Sequence, residues 1–327
     1  MFIRFFKSNN AAAYIFLPIL VLAIWGFGFF FPPIQPSQHV MPFYDLISGG
    51  ISKLHWLNII IAMLLVLSEA FLLNYIITEN AIFTKQSFLP ALFYVLFMSN
   101  NNAMLTTHPL LFANLFLLFA IDQLLNAYRK DKAFAEAFNA GFLISIATLF
   151  YFPYIVFVPV LGIAFILLRP FIWREWIISI FGVMLPYCFV ATYYFWNDSL
   201  STFWHENMLY AILQEQPKYN FSTSFYFTMI MGWGILLFSF GRLFGGLTGG
   251  SQKSKKSMIL MIWLFVFSIG SVLLAPEITT RSFSAFAIPA SVFCANYFLN
   301  IKKEWWAELL FILFFSSIII NLLVHFF

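Results

Sequence analysis

Charge is scarce in this sequence. Asp, Glu, Lys and Arg together make up 9% of 327 residues, where a soluble domain carries about a quarter, and that excludes an ordinary solvated surface. Cysteine is scarcer still: Cys188 and Cys294 both lie inside apolar runs, so no disulfide framework is expected and no Cys/His spacing offers a zinc site. Also missing are an internal repeat of fixed period, a polar stretch long enough for a separate soluble domain, and any outer Asp-x-Asp or other acidic pair. No cofactor is expected, and no cluster indicates a divalent metal.

Apolar residues fill the gap. They make up 62% of the chain, with Phe alone at 46 positions, and uncharged runs long enough to cross roughly 30 Å of hydrocarbon recur from end to end. The reading is an all-α polytopic membrane protein, a single transmembrane domain over residues 1–327. Eleven spans are expected: 11–31, 56–77, 86–99, 108–127, 136–152, 154–169, 176–196, 222–241, 258–274, 284–300 and 305–324. The run at 11–31 is too long for a signal-peptide core and is read as an uncleaved first helix. The span at 86–99 is interrupted by Pro90 and runs into Ser99-Asn100-Asn101-Asn102; those at 136–152 and 154–169 are separated only by Pro153. Short and broken spans line cavities, because freed backbone groups need protein or water partners.

Lysine and arginine set the expected orientation. With the N-terminus inside, Arg4, Lys7, Lys85, Arg129, Lys130, Lys132, Arg169, Arg174, Arg242, Lys253, Lys255, Lys256, Lys302 and Lys303 fall inside, and only Lys53, Lys218 and Arg281 outside. This bias gives an inner N-terminus and an outer C-terminus, in a multi-pass protein of a bacterial inner membrane. The net charge of +4 is thereby assigned to topology and anionic lipid contact, with no nucleic-acid partner.

The outer side collects the varied titratable groups, among them His39, His55, His108, His205, Asp45, Glu206, Glu215 and Glu277. In the first outer loop, Pro42 suits a helix start, and Phe43, Leu46, Ile47, Ile51 and Leu54 recur at helical spacing, which predicts a short amphipathic helix on the membrane. Asp45, beside Tyr44, then stands in the first turn, where the helix dipole favours a carboxylate; the alternative is a catalytic base. The fourth outer loop repeats the design. Leu200, Phe203, Trp204, Met208, Ile212 and Leu213 form an apolar stripe, predicting a lid helix with His205 and Glu206 off the stripe. Arg281 is four residues after Glu277, so it forms either a local ion pair or a grip on a lipid phosphate. Within the spans, Glu69 and Asp122 are the mid-membrane acids: Glu69 reads as a neutral, hydrogen-bonded group near Ser68 and Asn74, and Asp122 as reaching the inner belt through Arg129 or Lys130.

An inner terminus, a first helix, a first outer loop with an acid, then short helices with broken pairs: this layout resembles the polytopic C-type glycosyltransferase fold. The stretch FLPALFYVLFMSNNNAMLTTHPLLFANLFLLFAIDQLLNAY, residues 88–128, is similar to that family's third and fourth helices with their polar loop. The resemblance covers residues 1–200, leaving 201–327 as lid and C-terminal helices; a further bacterial membrane family on that scaffold is the other assignment. It implies sugar transfer from a polyprenyl-phosphate donor at the outer face. Asp45 would be the base, Arg281 the phosphate ligand, and Tyr44, His108, His205 and Glu206 substrate neighbours. The family's acidic pair is reduced here to Asp45, so a base and any metal would share it or recruit Glu277 or Glu206. A non-catalytic subunit of a membrane complex and a transporter using Glu69 and Asp122 are the alternatives.

Overall fold

The structure is a computed structural model, and it describes residues 2–8, 11–30, 41–51, 54–202, 204, 221–246 and 251–324. Among these residues there is no β-strand. Helices α1 (Phe2–Phe6), α2 (Ala11–Trp25) and α3 (Phe27–Phe30) lead to α4 (Pro42–Ile51), α5 (His55–Glu79), α6 (Leu89–Met98) and α7 (Pro109–Asn126). Then follow α8 (Phe134–Phe150), α9 (Val158–Leu168), α10 (Trp173–Trp196) and α11 (Leu200–Thr202). The last four are α12 (Thr223–Gly246), α13 (Gln252–Leu273), α14 (Ala287–Asn300) and α15 (Glu304–Leu323).

Eight helical segments among the described residues are long and apolar enough to cross a membrane; three shorter apolar ones, Leu89–Met98, Phe134–Phe150 and Phe152–Leu168, fall where the sequence places its doubtful spans. The protein is thus an α-helical, multi-pass membrane protein in its build. Wide belts of exposed apolar side chains, such as Ile180, Phe181, Phe189 and Trp196 on α10, suit a lipid solvent.

Two breaks share one design. After α8, Tyr151 turns extended and Phe152–Phe157 forms a 3-10 run that feeds directly into α9. After α13, Thr279 turns extended and Thr280–Phe286 forms a second 3-10 run that feeds α14. Pro153 explains the first, since it has no N–H to continue a helix. The second starts at Thr279, whose side chain and Ser282 form a reciprocal cap. Both runs pack into the bundle, the first against α13 and the second against α7.

Helices α8 and α10 approach unusually closely. A Cβ on Gly141 would stand 2.3 Å from the Ser179 carbonyl oxygen, and one on Gly182 would stand 2.3 Å from that of Phe138. Small residues that let backbones touch are the common packing device where lipid supplies no hydrophobic drive.

One expected member of the inner basic belt is not exposed. Arg169 is buried and pairs with buried Glu175 at 3.0 Å, while its guanidinium also donates to the Lys130 carbonyl at 2.8 Å. Glu175 accepts from the Ala133 backbone N–H at 3.0 Å. This pair fastens the α9–α10 corner to the α7–α8 loop, a structural task that its position at a helix boundary did not reveal.

A buried polar cluster at one end of the bundle

Helix α6 has 10 residues and so rises roughly 15 Å, about half a hydrocarbon core. The chain that follows it, residues 99–108, is therefore sunk into the bundle rather than laid on it. Ser99, Asn100, Asn101, Thr106, Thr107 and His108 are all buried. Polar groups at that depth need protein partners, and several find them. Trp25 of α2 donates its indole N–H to Ser99 Oγ at 2.8 Å. Asn58 of α5 accepts from both the N–H and the hydroxyl of Thr107, at 2.6 and 2.8 Å. Asn321 of α15 donates to the Asn100 carbonyl at 2.6 Å.

Three of the residues singled out in the sequence meet on this segment. Tyr44 is on the buried side of α4, packs edge-on against Phe112 and donates its hydroxyl to the Thr107 carbonyl at 2.9 Å. Arg281, in the second 3-10 run and 6% exposed, donates Nε–H to the Ala103 carbonyl at 2.8 Å. His108 caps the start of α7 with no exposure at all. The charge of Arg281 acts on both Tyr44 and His108. Burial raises the Tyr44 hydroxyl above the usual phenol range, and Arg281 opposes that shift. Tyr44 is therefore a neutral donor at physiological pH.

The cluster is incompletely satisfied. Arg281 Nη2 and both ring nitrogens of His108 are buried with no hydrogen-bond partner, as are Thr106 Oγ1 and Ser284 Oγ. Arg281 and Glu277 form no ion pair, and Glu277 is exposed. A desolvated guanidinium without a carboxylate costs several kcal/mol unless some anion or acceptor meets it.

Asp45 does not join this group. It is exposed, one residue round the helix from Tyr44, and its side chain makes no hydrogen bond. The helix expected around it is present, but docked: Met41, Pro42 and Tyr44 are buried and Phe43 packs on Phe150 at 5.6 Å, with α4 lying against α5 and α8. Of the expected lid helix only Leu200–Thr202 and Trp204 belong to the described residues; His205 and Glu206 lie outside them.

The mid-membrane acids have other partners than the sequence suggested. Glu69 accepts from the Tyr94 hydroxyl at 2.8 Å, while Ser68 bonds back to Leu65 and Asn74 Oδ1 is unpartnered. Asp122 accepts from Asn126 at 3.0 Å; Lys130 pairs instead with Glu136. Among the described residues no group of three His, Cys, Asp or Glu side chains could hold a metal ion.

The sequence reading missed Asn58, Thr107, Tyr94, Asn114 and Tyr154, which do much of the polar work. A signal was present: Asn58 and Asn114 are amides inside apolar spans, where an unpaired polar group is costly. Comparison of the chain with protein-family models, with curated proteins and with solved structures gave no match.

Proposed function

We propose that the chain binds the phosphate of a lipid-linked substrate at the outer end of its bundle, and that the scaffold serves sugar transfer from a polyprenyl-phosphate donor. One observation carries this reading: a buried guanidinium with no carboxylate partner among the described residues, acting electrostatically on a buried histidine whose two ring nitrogens are both unpartnered there. Arg281 supplies the fixed charge, with Nε already oriented by Ala103 and Nη2 left to donate to a phosphate oxygen, the geometry in which arginine excels. His108 adds a donor from whichever nitrogen is protonated. The orientation proposed is N-terminus inside, in a bacterial inner membrane.

A second reading, a non-catalytic subunit on the same scaffold, is favoured by the exposure of Asp45, which leaves the cluster without a carboxylate base among the described residues. In that reading the site has decayed and need bind no lipid phosphate, so the two readings differ in binding as well as in turnover. Transport, resting on Glu69 and Asp122, is the third.

The test is binding of farnesyl phosphate to the purified full chain, read by titration calorimetry in detergent. Arg281→Ala should weaken binding at least tenfold, about 1.4 kcal/mol, and Arg281→Lys should recover part of it. Equal affinity of Arg281→Ala and the parent protein would overturn the phosphate site.

A further inference from the structure

Arg281 is carried on a 3-10 run, Thr280–Phe286, a poor element for holding a charge in place because its hydrogen bonds are strained and runs of this kind are short. Its position has to come from outside. Two side chains reach it: Ser268 of α13 donates to the Ala285 carbonyl at 3.0 Å, and Asn114 of α7 donates Nδ2–H to the Ser284 carbonyl at 3.3 Å.

Asn114 differs from Ser268 in what lies behind it. It is fully buried, and its Oδ1 accepts from the Tyr154 hydroxyl at 2.6 Å. Tyr154 belongs to the other 3-10 run, Phe152–Phe157. Asn114 Nδ2 also reaches Met98 Sδ, at the end of α6, at 4.0 Å. A single amide thus ties the two broken elements together and touches the end of α6. An amide suits that place because it donates twice and accepts without carrying charge. In a 3-10 helix residues three apart eclipse, so Ser284 stands directly below Arg281, and displacement of one moves the other.

We propose that Asn114 is the positioning residue of the outer phosphate site: it locks the Arg281-bearing run to the Tyr154 run, and so fixes the direction of the guanidinium. The inference rests on the phosphate reading for its functional consequence, and on geometry alone for its structural one.

Two variants test it. Asn114→Leu keeps the size and removes every hydrogen bond. Asn114→Ala removes the amide with a smaller, unbranched side chain in its place, which serves if the first fails to fold. Hydrogen exchange of the full chain in detergent micelles should show the amides of residues 282–286 opening at least tenfold faster in either variant, with helices α8 and α10 unchanged. Farnesyl phosphate affinity should fall at least fivefold in the same samples. Parental exchange at residues 282–286 overturns the proposal, and so does acceleration spread evenly over the molecule, which is mere destabilisation. If exchange rises locally while Arg281→Ala binds farnesyl phosphate as the parent does, the phosphate reading has failed and the positioning role stands. If Arg281→Ala loses binding and a folded Asn114 variant does not, the positioning role has failed alone.

Discussion

Tyr44 and Asp45 are neighbours in sequence, yet one is buried against Phe112 and the other is exposed. On an α-helix consecutive residues are about 100° apart, so a helix that buries Tyr44 must turn Asp45 toward its flank. The replacement Asp45→Asn therefore removes only a favourable interaction with the helix dipole, less than about 1 kcal/mol at an exposed first turn. Thermal unfolding should move little, and farnesyl phosphate affinity should stay within twofold of the parent. Loss of binding would bring the carboxylate back into the site. The sequence singled out Tyr44, His108 and Arg281 and expected them on one side, because few polar residues interrupt the apolar runs, and the structure brings them to one segment. It could not tell which of them turn inward, since the decision depends on contacts such as Tyr44 with Thr107, 63 positions away. Arg169 makes the same point in reverse: its position beside a span end reads as surface charge, while its actual environment is set by Glu175 and the Lys130 carbonyl.

Elements were more legible than their packing. Pro153 and the polar end of α6 marked where helices break, because proline chemistry and buried backbone groups act locally. The second break, at Thr279–Ser282, carries no proline and was read as a loop before a span. The closeness of α8 and α10 was not legible either: Gly141 and Gly182 sit in separate spans, and nothing in either span says that they meet. The contact makes a direct prediction. A methyl at position 182 would stand 2.3 Å from the Phe138 carbonyl oxygen, so Gly182→Ala must push the helices apart, and overpacking of this kind costs about 1–3 kcal/mol. Gly234 on α12 has nothing within 4 Å of its Cβ position, and Gly234→Ala should be neutral or slightly stabilising, as alanine is the better helix former. Melting of the two variants side by side checks this; equal melting temperatures would deny the glycine interlock.

At the scale of the molecule, segments that the eleven-span reading assigns to one side do meet one another. On the expected inner side, Ser254 reaches the Ile82 carbonyl, Lys256 and Arg129 both lie over the Tyr128 ring at 5.7 and 5.3 Å, and Arg242 donates to the Asn300 carbonyl at 2.9 Å. On the expected outer side, Tyr44, Ala103, Thr107, Arg281, Asn100 and Asn321 are joined by hydrogen bonds. No contact named here joins the two groups, and this separation of ends is what alternating crossings by α6, α8 and the Phe152–Leu168 segment would produce. Those three are the segments too short to be taken as spans on length alone; the 17 residues of α8 rise roughly 25 Å, enough to cross where neighbouring helices shelter the ends, while the 10 residues of α6 need the buried chain at 99–108 to complete the passage. The prediction concerns sides. In a Cys188→Ser background, cysteine at exposed position 45 should react with an impermeant maleimide added to intact spheroplasts, and cysteine at exposed position 302 should react only after the membrane is opened. Between these positions lie nine of the eleven spans, an odd number, so the two must be on opposite sides if every short segment crosses. Removing one crossing from that stretch puts them on the same side. Labelling of both positions from outside would therefore reject the alternation, and with it the placing of the Arg281 cluster on the outer face.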